Sequence, residues 1–317
     1  MPADIQNVHD KFFKSLIADK GIAVDWLNTF LPAETREKLD LSTLEGSNET
    51  FVGPELKEYL SDVVFRCKLK DQEKQAWVSI LLEHKSYKDD YAAVQILTYL
   101  ANGYLDQWRK QKKLEPIIPV LFYHGSETWE YRDISNLLKD HPTELLNFVP
   151  EFEIVFIDLF SKSDAELLNV GNVFLRAALL LQKYSRHSDE ILDKIQHIFS
   201  AVDPGGNRNL WPDLVVYFLK IVDKSSDKFF DKLNLIMEPA KSEIMSIYDQ
   251  AIEKGMEKGI EKGMEKGMEK GMDEANIKVI LNGFQSGLEV NLLSVITGWT
   301  EDKVRQVICE HFPGAKI

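Results

Sequence analysis

Two strand-like segments joined by a wholly polar link, each with an acidic residue at its outer end, constrain this chain more than any other feature. Residues 61–69 carry Val63, Val64 and Phe65, and residues 76–85 carry Trp77, Val78 and Ile80. Both are rich in the β-branched and aromatic side chains that favour strands. Lys70-Asp71-Gln72-Glu73-Lys74-Gln75 between them has the composition of a solvated hairpin turn. Pairing Asp62 across from Glu83 centres that turn between Gln72 and Glu73, the middle of the polar link. Turn position and acid pairing therefore give one register.

Directly opposed residues have Cβ atoms roughly 4.5–5.5 Å apart, and like charges there repel. A divalent cation relieves that repulsion. Carboxylate oxygens suit Mg²⁺, or alternatively Mn²⁺ or Ca²⁺. Strand side chains alternate, so Glu83 and Lys85 share a sheet face while His84 points away. Two carboxylates and a lysine on one face are the parts of metal-assisted phosphodiester hydrolysis. Asp62 and Glu83 hold the metal, and Lys85 orients a water or stabilises charge. The plainer alternative is two ordinary strand-end acids, with Glu83 and Lys85 a solvated pair worth under ~1 kcal/mol.

Four segments carry a family likeness: His9-Asp10-Lys11-Phe12-Phe13-Lys14, the Asp62 strand, Leu81-Leu82-Glu83-His84-Lys85-Ser86, and Pro119-Val120-Leu121-Phe122-Tyr123-His124-Gly125. In this order, over about the first half of the chain, they resemble the bacterial Rpn family of recombination-promoting, transposase-like nucleases within the PD-(D/E)XK superfamily. The resemblance implies that Asp62, Glu83 and Lys85 match the superfamily's metal-binding acids and catalytic lysine. It also implies double-strand breaks in DNA with little sequence preference, serving recombination, mobile elements or defence against foreign DNA. Two departures stand out. Many family members resemble Glu-His-Gln where this chain has Glu83-His84-Lys85, and Ser61 replaces the proline that often precedes the first acid.

Charge is the main objection to a nucleic-acid enzyme. With 38 Lys and Arg against 51 Asp and Glu, the net charge is −13, which argues against nonspecific coating of nucleic acid. Local positives nevertheless sit near the proposed site. Arg66, Lys68, Lys88, Arg109 and Lys110 are the candidate DNA contacts. Cations of the 109–113 run would equally suit a helix C-terminus. Cys67 and Cys309 lie far apart and build no disulfide framework, as expected of a reducing cytoplasm. No apolar run approaches the ~18–20 residues of a membrane span. Phosphate-loop, dinucleotide-binding and nucleophile-elbow motifs are absent from the sequence.

The periodicity predicts helices over residues 5–19 and 24–30, then the hairpin, then a helix over 91–110. Val94, Leu97, Leu100, Ala101, Leu105 and Trp108 would form the one buried face of that helix. Strands are expected over Ile117–Tyr123 and 153–159. The fold class is therefore α/β, a restriction-endonuclease-like core whose mixed sheet is flanked by helices, followed by an all-helical C-terminal half. Residues 1–160 form the core, 161–250 a helical domain completing or packing on it, 251–273 a repeat helix or tether, and 274–317 a small helical tail.

Two residues are possible supports of the site. Asp10 could add a carboxylate, although a helix cap or first-turn acid is the favoured reading. Gln95 lies early in the helix after the hairpin. His124 reads as a satisfied structural histidine, because no second ligand sits at metal-binding spacing.

Residues 253–272 repeat Glu-Lys-Gly-Met almost perfectly, with Ile260 in one Met position. Each interior glycine costs about 1 kcal/mol of helix stability, so a partner is expected to support this helix. Homo-oligomerisation through the repeat and tail is the expected use. The tail itself predicts three helices, over 276–284, 288–296 and Glu301–His311, with Thr300 as an N-cap. Its layout resembles a helix-turn-helix, but the acidic last helix favours protein contact over DNA. The partners expected are thus duplex DNA and a second copy, with no membrane. Two rivals remain: a noncatalytic DNA-binding scaffold, and a toxin nuclease directed at RNA.

Overall fold

The computed structural model describes residues 3–47, 63–70, 77–206, 209–224 and 227–313. Two compact units divide the chain, Met1–Ile247 and Tyr248–Ile317. The helical segment from residue 161 to Ile247 lies within the first unit.

The first unit is built on a five-stranded mixed sheet in sequential order. Its strands are β1 (Leu39–Ser47), β2 (Val63–Leu69), β3 (Trp77–Lys85), β4 (Ile117–Tyr123) and β5 (Val155–Asp158). The first three are antiparallel, and β4 and β5 then run parallel to β3. In the hairpin Val63 faces Leu82 and Lys68 faces Trp77, the register expected from the polar turn. Asp62 and the turn itself, residues 71–76, lie outside the described residues.

Strand β1 was not expected. Its Leu39 and Leu41 alternate correctly, but a bulge between Asp40 and Glu45 breaks the period before Leu44. All three leucines are buried, so the alternation signal is interrupted while the burial is not.

Helices α1 (Ala3–Ala18), α2 (Lys20–Phe30) and α3 (Ala33–Lys38) precede the sheet. Phe13 stacks on His84 at 4.4 Å and on Phe122 at 5.2 Å, and Trp26 meets Phe122 edge-on at 5.3 Å. These contacts seat α1 and α2 on the face to which His84 and Phe122 point. The other face carries Val64, Leu121 and Tyr123, and packs against α4 (Ala92–Gln111).

α4 corrects one expectation. It buries Ala92, Ala93, Ile96, Tyr99 and Leu100, while Val94, Ala101, Leu105 and Trp108 face solvent. The helix has apolar residues on two sides, and the sheet takes the side whose small Ala92 and Ala93 permit close approach.

The remaining helices are α5 (Ile134–Leu137), α6 (Thr143–Leu146), α7 (Asp164–Leu168), α8 (Val173–Lys183), α9 (Ser188–Phe199), α10 (Trp211–Ile221) and α11 (Asp227–Leu233). α10 reaches back to α1, where Tyr217 stacks on Phe12 at 4.0 Å.

α12 (Ala240–Gln285) is one continuous helix of 46 residues. It contains the whole repeat and absorbs the helix expected over 276–284, so no break separates repeat from tail. Met256, Ile260, Met264, Met268 and Met272 are exposed along it. A Cβ placed on Gly255, Gly259, Gly263, Gly267 or Gly271 would meet nothing within 4 Å. The second unit closes with α13 (Val290–Thr297) and α14 (Glu301–His311). Ile280, Leu293, Val304 and Ile308 form its core, and the Thr300 side chain caps α14 by accepting from Lys303 N. No described helix is long and apolar enough to cross a membrane.

Candidate active site

The parallel pairing of β3 with β4 buries the end of β3, where Glu83, His84 and Lys85 lie. Alternation sends Glu83 and Lys85 to the α4 face and His84 to the α1 face.

On the α4 face Glu83 is 3 % and Lys85 6 % exposed. Lys85 Nζ is 3.3 Å from Glu83 Oε1 and 3.1 Å from Asp89 Oδ2, and donates to Gln95 Oε1 at 2.6 Å. Gln95 Nε2 in turn donates to Glu83 Oε1 at 3.2 Å and to the Tyr99 hydroxyl. The amide thus clasps both charged groups from the first turns of α4. Burial works against the Lys85 charge, but Glu83, Tyr87 and Asp89 outweigh it and hold its pKa above the usual lysine value. Glu83 Oε2 is buried with no hydrogen-bond partner. A buried carboxylate oxygen left in this way costs free energy unless another group or ion meets it.

The structure therefore brings Glu83, Lys85 and Gln95 together and adds Asp89 and Tyr99. Neither addition was anticipated. The only sequence signals were spacings of four, Lys85 to Asp89 and Gln95 to Tyr99, which are common.

Asp10 goes elsewhere. It sits mid-helix in α1, neither a cap nor a first-turn acid, and its Oδ1 is 3.0 Å from His84 Nδ1. That contact lies on the opposite face of the sheet from Glu83. Beside it His9, His84 and His124 cluster, with His124 4.5 Å from His84 and 5.0 Å from His9 between ring centroids. His9 Nδ1 bonds the Tyr217 hydroxyl at 2.9 Å. His124 is fully packed inside this cluster, as expected of a structural histidine, and the Gln182 backbone is its polar neighbour. Burial, then the neighbouring His84, His9 and Arg186, push its pKa well below the usual histidine value. Burial, Arg186 and His84 hold His9 down at about 4, against the opposing pull of Asp10. Arg186 also donates to the Ser86 carbonyl at 2.6 Å, tying the helical segment to the end of β3.

The candidate DNA contacts are dispersed. Arg66 Nη2 is 2.6 Å from Glu115, Lys88 Nζ is 2.9 Å from Glu127, and Lys110 Nζ is 2.8 Å from Asp106. Lys68 lies on β2, opposite Asp40 and Trp77. Arg109 and Lys110 occupy the last turn of α4. At 1.5 Å per residue that turn is about 21 Å along the axis from Gln95. Their placement matches the helix C-terminus reading.

Residues 7–208 match the model of a family described as "Putative transposase, YhgA-like". The chain belongs to this family. Its similar relatives include "Recombination-promoting nuclease RpnD" of Escherichia coli O157:H7, 26 % identical over 76 % of this chain and 93 % of the relative. "Recombination-promoting nuclease RpnC" of Escherichia coli (strain K12) is 26 % identical over 65 % of this chain and 67 % of its own length. "Inactive recombination-promoting nuclease-like protein RpnE" of the same strain is 25 % identical over 92 % of this chain and 95 % of the relative. No solved structure matches the chain.

Proposed function

We infer that this member of the YhgA-like family is a metal-dependent phosphodiesterase, a DNA endonuclease with a PD-(D/E)XK core. It would make double-strand breaks with low sequence specificity and so promote recombination, mobile-element activity or defence. The observation that carries the reading is the buried Glu83 carboxylate, with one oxygen clasped by Lys85 and Gln95 and the other left without a partner.

The residues fit a hard cation such as Mg²⁺, or Mn²⁺ or Ca²⁺. Among the described residues no three His, Cys, Asp or Glu side chains form a metal cage, but Mg²⁺ needs only one or two carboxylates and keeps water and phosphate as its other ligands. Glu83 Oε2 would supply one oxygen. Asp62 would supply the second, on the strength of the family motif. The ion would lower the pKa of a water and neutralise phosphate charge.

Lys85 would orient the attacking water and stabilise charge on the phosphate. An ammonium has three N–H donors, and here it meets three acceptors, Glu83, Asp89 and Gln95. Substrate must therefore displace one of them, and Asp89, with its side chain 22 % exposed against 4 % for Glu83, is the carboxylate partner that solvent reaches.

A second reading, a DNA-binding scaffold without activity, is favoured by the likeness to the inactive RpnE over nearly the whole chain. Supercoiled plasmid incubated with purified protein separates them. Nicking and linearisation in Mg²⁺ that stop in EDTA, and are lost in Asp62→Asn and Glu83→Gln, support the enzyme. Unchanged cutting by both variants would refute the site. Offering RNA beside duplex DNA tests the substrate.

A further inference from the structure

On the side away from the sheet, α4 and its N-cap Tyr91 present an exposed, largely apolar stripe, at whose C-terminal end Lys112 Nζ lies 4.3 Å over the Trp108 ring. Tyr91, Val94, Thr98, Ala101, Leu105 and Trp108 alternate at spacings of three and four and are all exposed, Tyr91 at 70 % and Trp108 at 54 %. This is an uninterrupted a/d heptad pattern over about 26 Å of helix. The row is apolar except at Thr98, whose hydroxyl donates back to the Val94 carbonyl at 3.0 Å, and an exposed row of this kind marks an interaction site.

The stripe has an unusual symmetry. Its spacing reads the same in both directions about a point between Tyr99 and Leu100. Reversing the helix lays Tyr91 on Trp108, Val94 on Leu105 and Thr98 on Ala101. A patch that meets its own copy across a two-fold axis must be self-complementary in this way. Size follows the same symmetry, with the smallest residues at the centre and aromatic rings at the ends. Crossing helices approach most closely at one point and diverge from it, so small residues belong at the crossing and bulky ones where the gap widens.

Charge selects the same orientation. Exposed Asp90 and Arg109 bound the stripe at its two ends. An antiparallel pair brings each Asp90 towards the partner's Arg109 and opposes the two helix dipoles favourably. A parallel pair would set Asp90 beside Asp90 and Arg109 beside Arg109. We propose that α4 is a two-fold, antiparallel interface with a second copy of this chain. In that register the two Gln95 positions lie about 14 Å apart along the axis. Two copies would then each bring a site to one substrate, a consequence that rests on the proposed function, whereas the pairing does not.

Disulfide trapping in the full-length chain tests the register, with Cys309, the exposed thiol, changed to serine. A tagged Thr98→Cys protein mixed with an untagged Ala101→Cys protein should form a crosslinked heterodimer under mild oxidation. Tyr91→Cys alone should remain uncrosslinked, its two copies being about 26 Å apart in this arrangement. Adding Leu105→Glu to both partners should abolish the heterodimer. Failure of Thr98→Cys to trap Ala101→Cys overturns the proposal. So does efficient self-crosslinking of Tyr91→Cys, or a crosslink that survives Leu105→Glu.

Discussion

Removing the Lys85 charge tests the site without relying on turnover. At the observed 3.3 Å, and an effective dielectric of about 20, the attraction between Lys85 and Glu83 is about 5 kcal/mol. Desolvating the two buried ions costs several kcal/mol each, so the pair itself contributes little net stability. Breaking it is another matter. Lys85→Met leaves the buried Glu83 carboxylate without its counter-charge and should destabilise the protein by about 3–5 kcal/mol. Glu83→Gln together with Lys85→Met removes both charges, and the cycle should show a coupling of about 2–3 kcal/mol. Urea unfolding followed by far-ultraviolet circular dichroism, in EDTA and again in Mg²⁺, measures this. Mg²⁺ should restore more stability to Lys85→Met than it adds to wild type, because the ion substitutes for the missing charge at Glu83. Additive single-variant effects together with indifference to Mg²⁺ would refute both the coupled pair and the cation site.

Two other outcomes follow from burial and packing. His9 is held neutral, with its pKa lowered to about 4, while the unfolded chain titrates near 6.5. The unfolded state therefore binds more protons between those values, and stability should fall as pH drops through that window, by up to about 3 kcal/mol from this residue. His9→Gln should flatten the slope in pH-dependent urea titrations, and an unchanged slope would count against the assignment. In the second unit Gly271→Ala adds a methyl into open space and should raise helix stability by up to about 1 kcal/mol. Gly283→Ala sets a Cβ 2.5 Å from Leu293 Cδ2 and should lower the thermal midpoint. The reverse order of midpoints would contradict the open repeat and the packed tail.

Local pattern alone determined the hairpin register, the opposed directions of Glu83 and His84, the helix Glu301–His311 and its Thr300 cap. These depend on strand alternation and capping chemistry, which act over a few residues. The four short motifs were likewise enough to indicate the family. Only tertiary structure decided which side of α4 meets the sheet, that Asp10 joins His84 rather than Glu83, and that Asp89 takes a share of Lys85. It also brought His9 to Tyr217 and Arg186 to Ser86, across 208 and 100 positions of the chain. A side chain's partner across such distances follows from how whole faces pack, and no local periodicity records that choice.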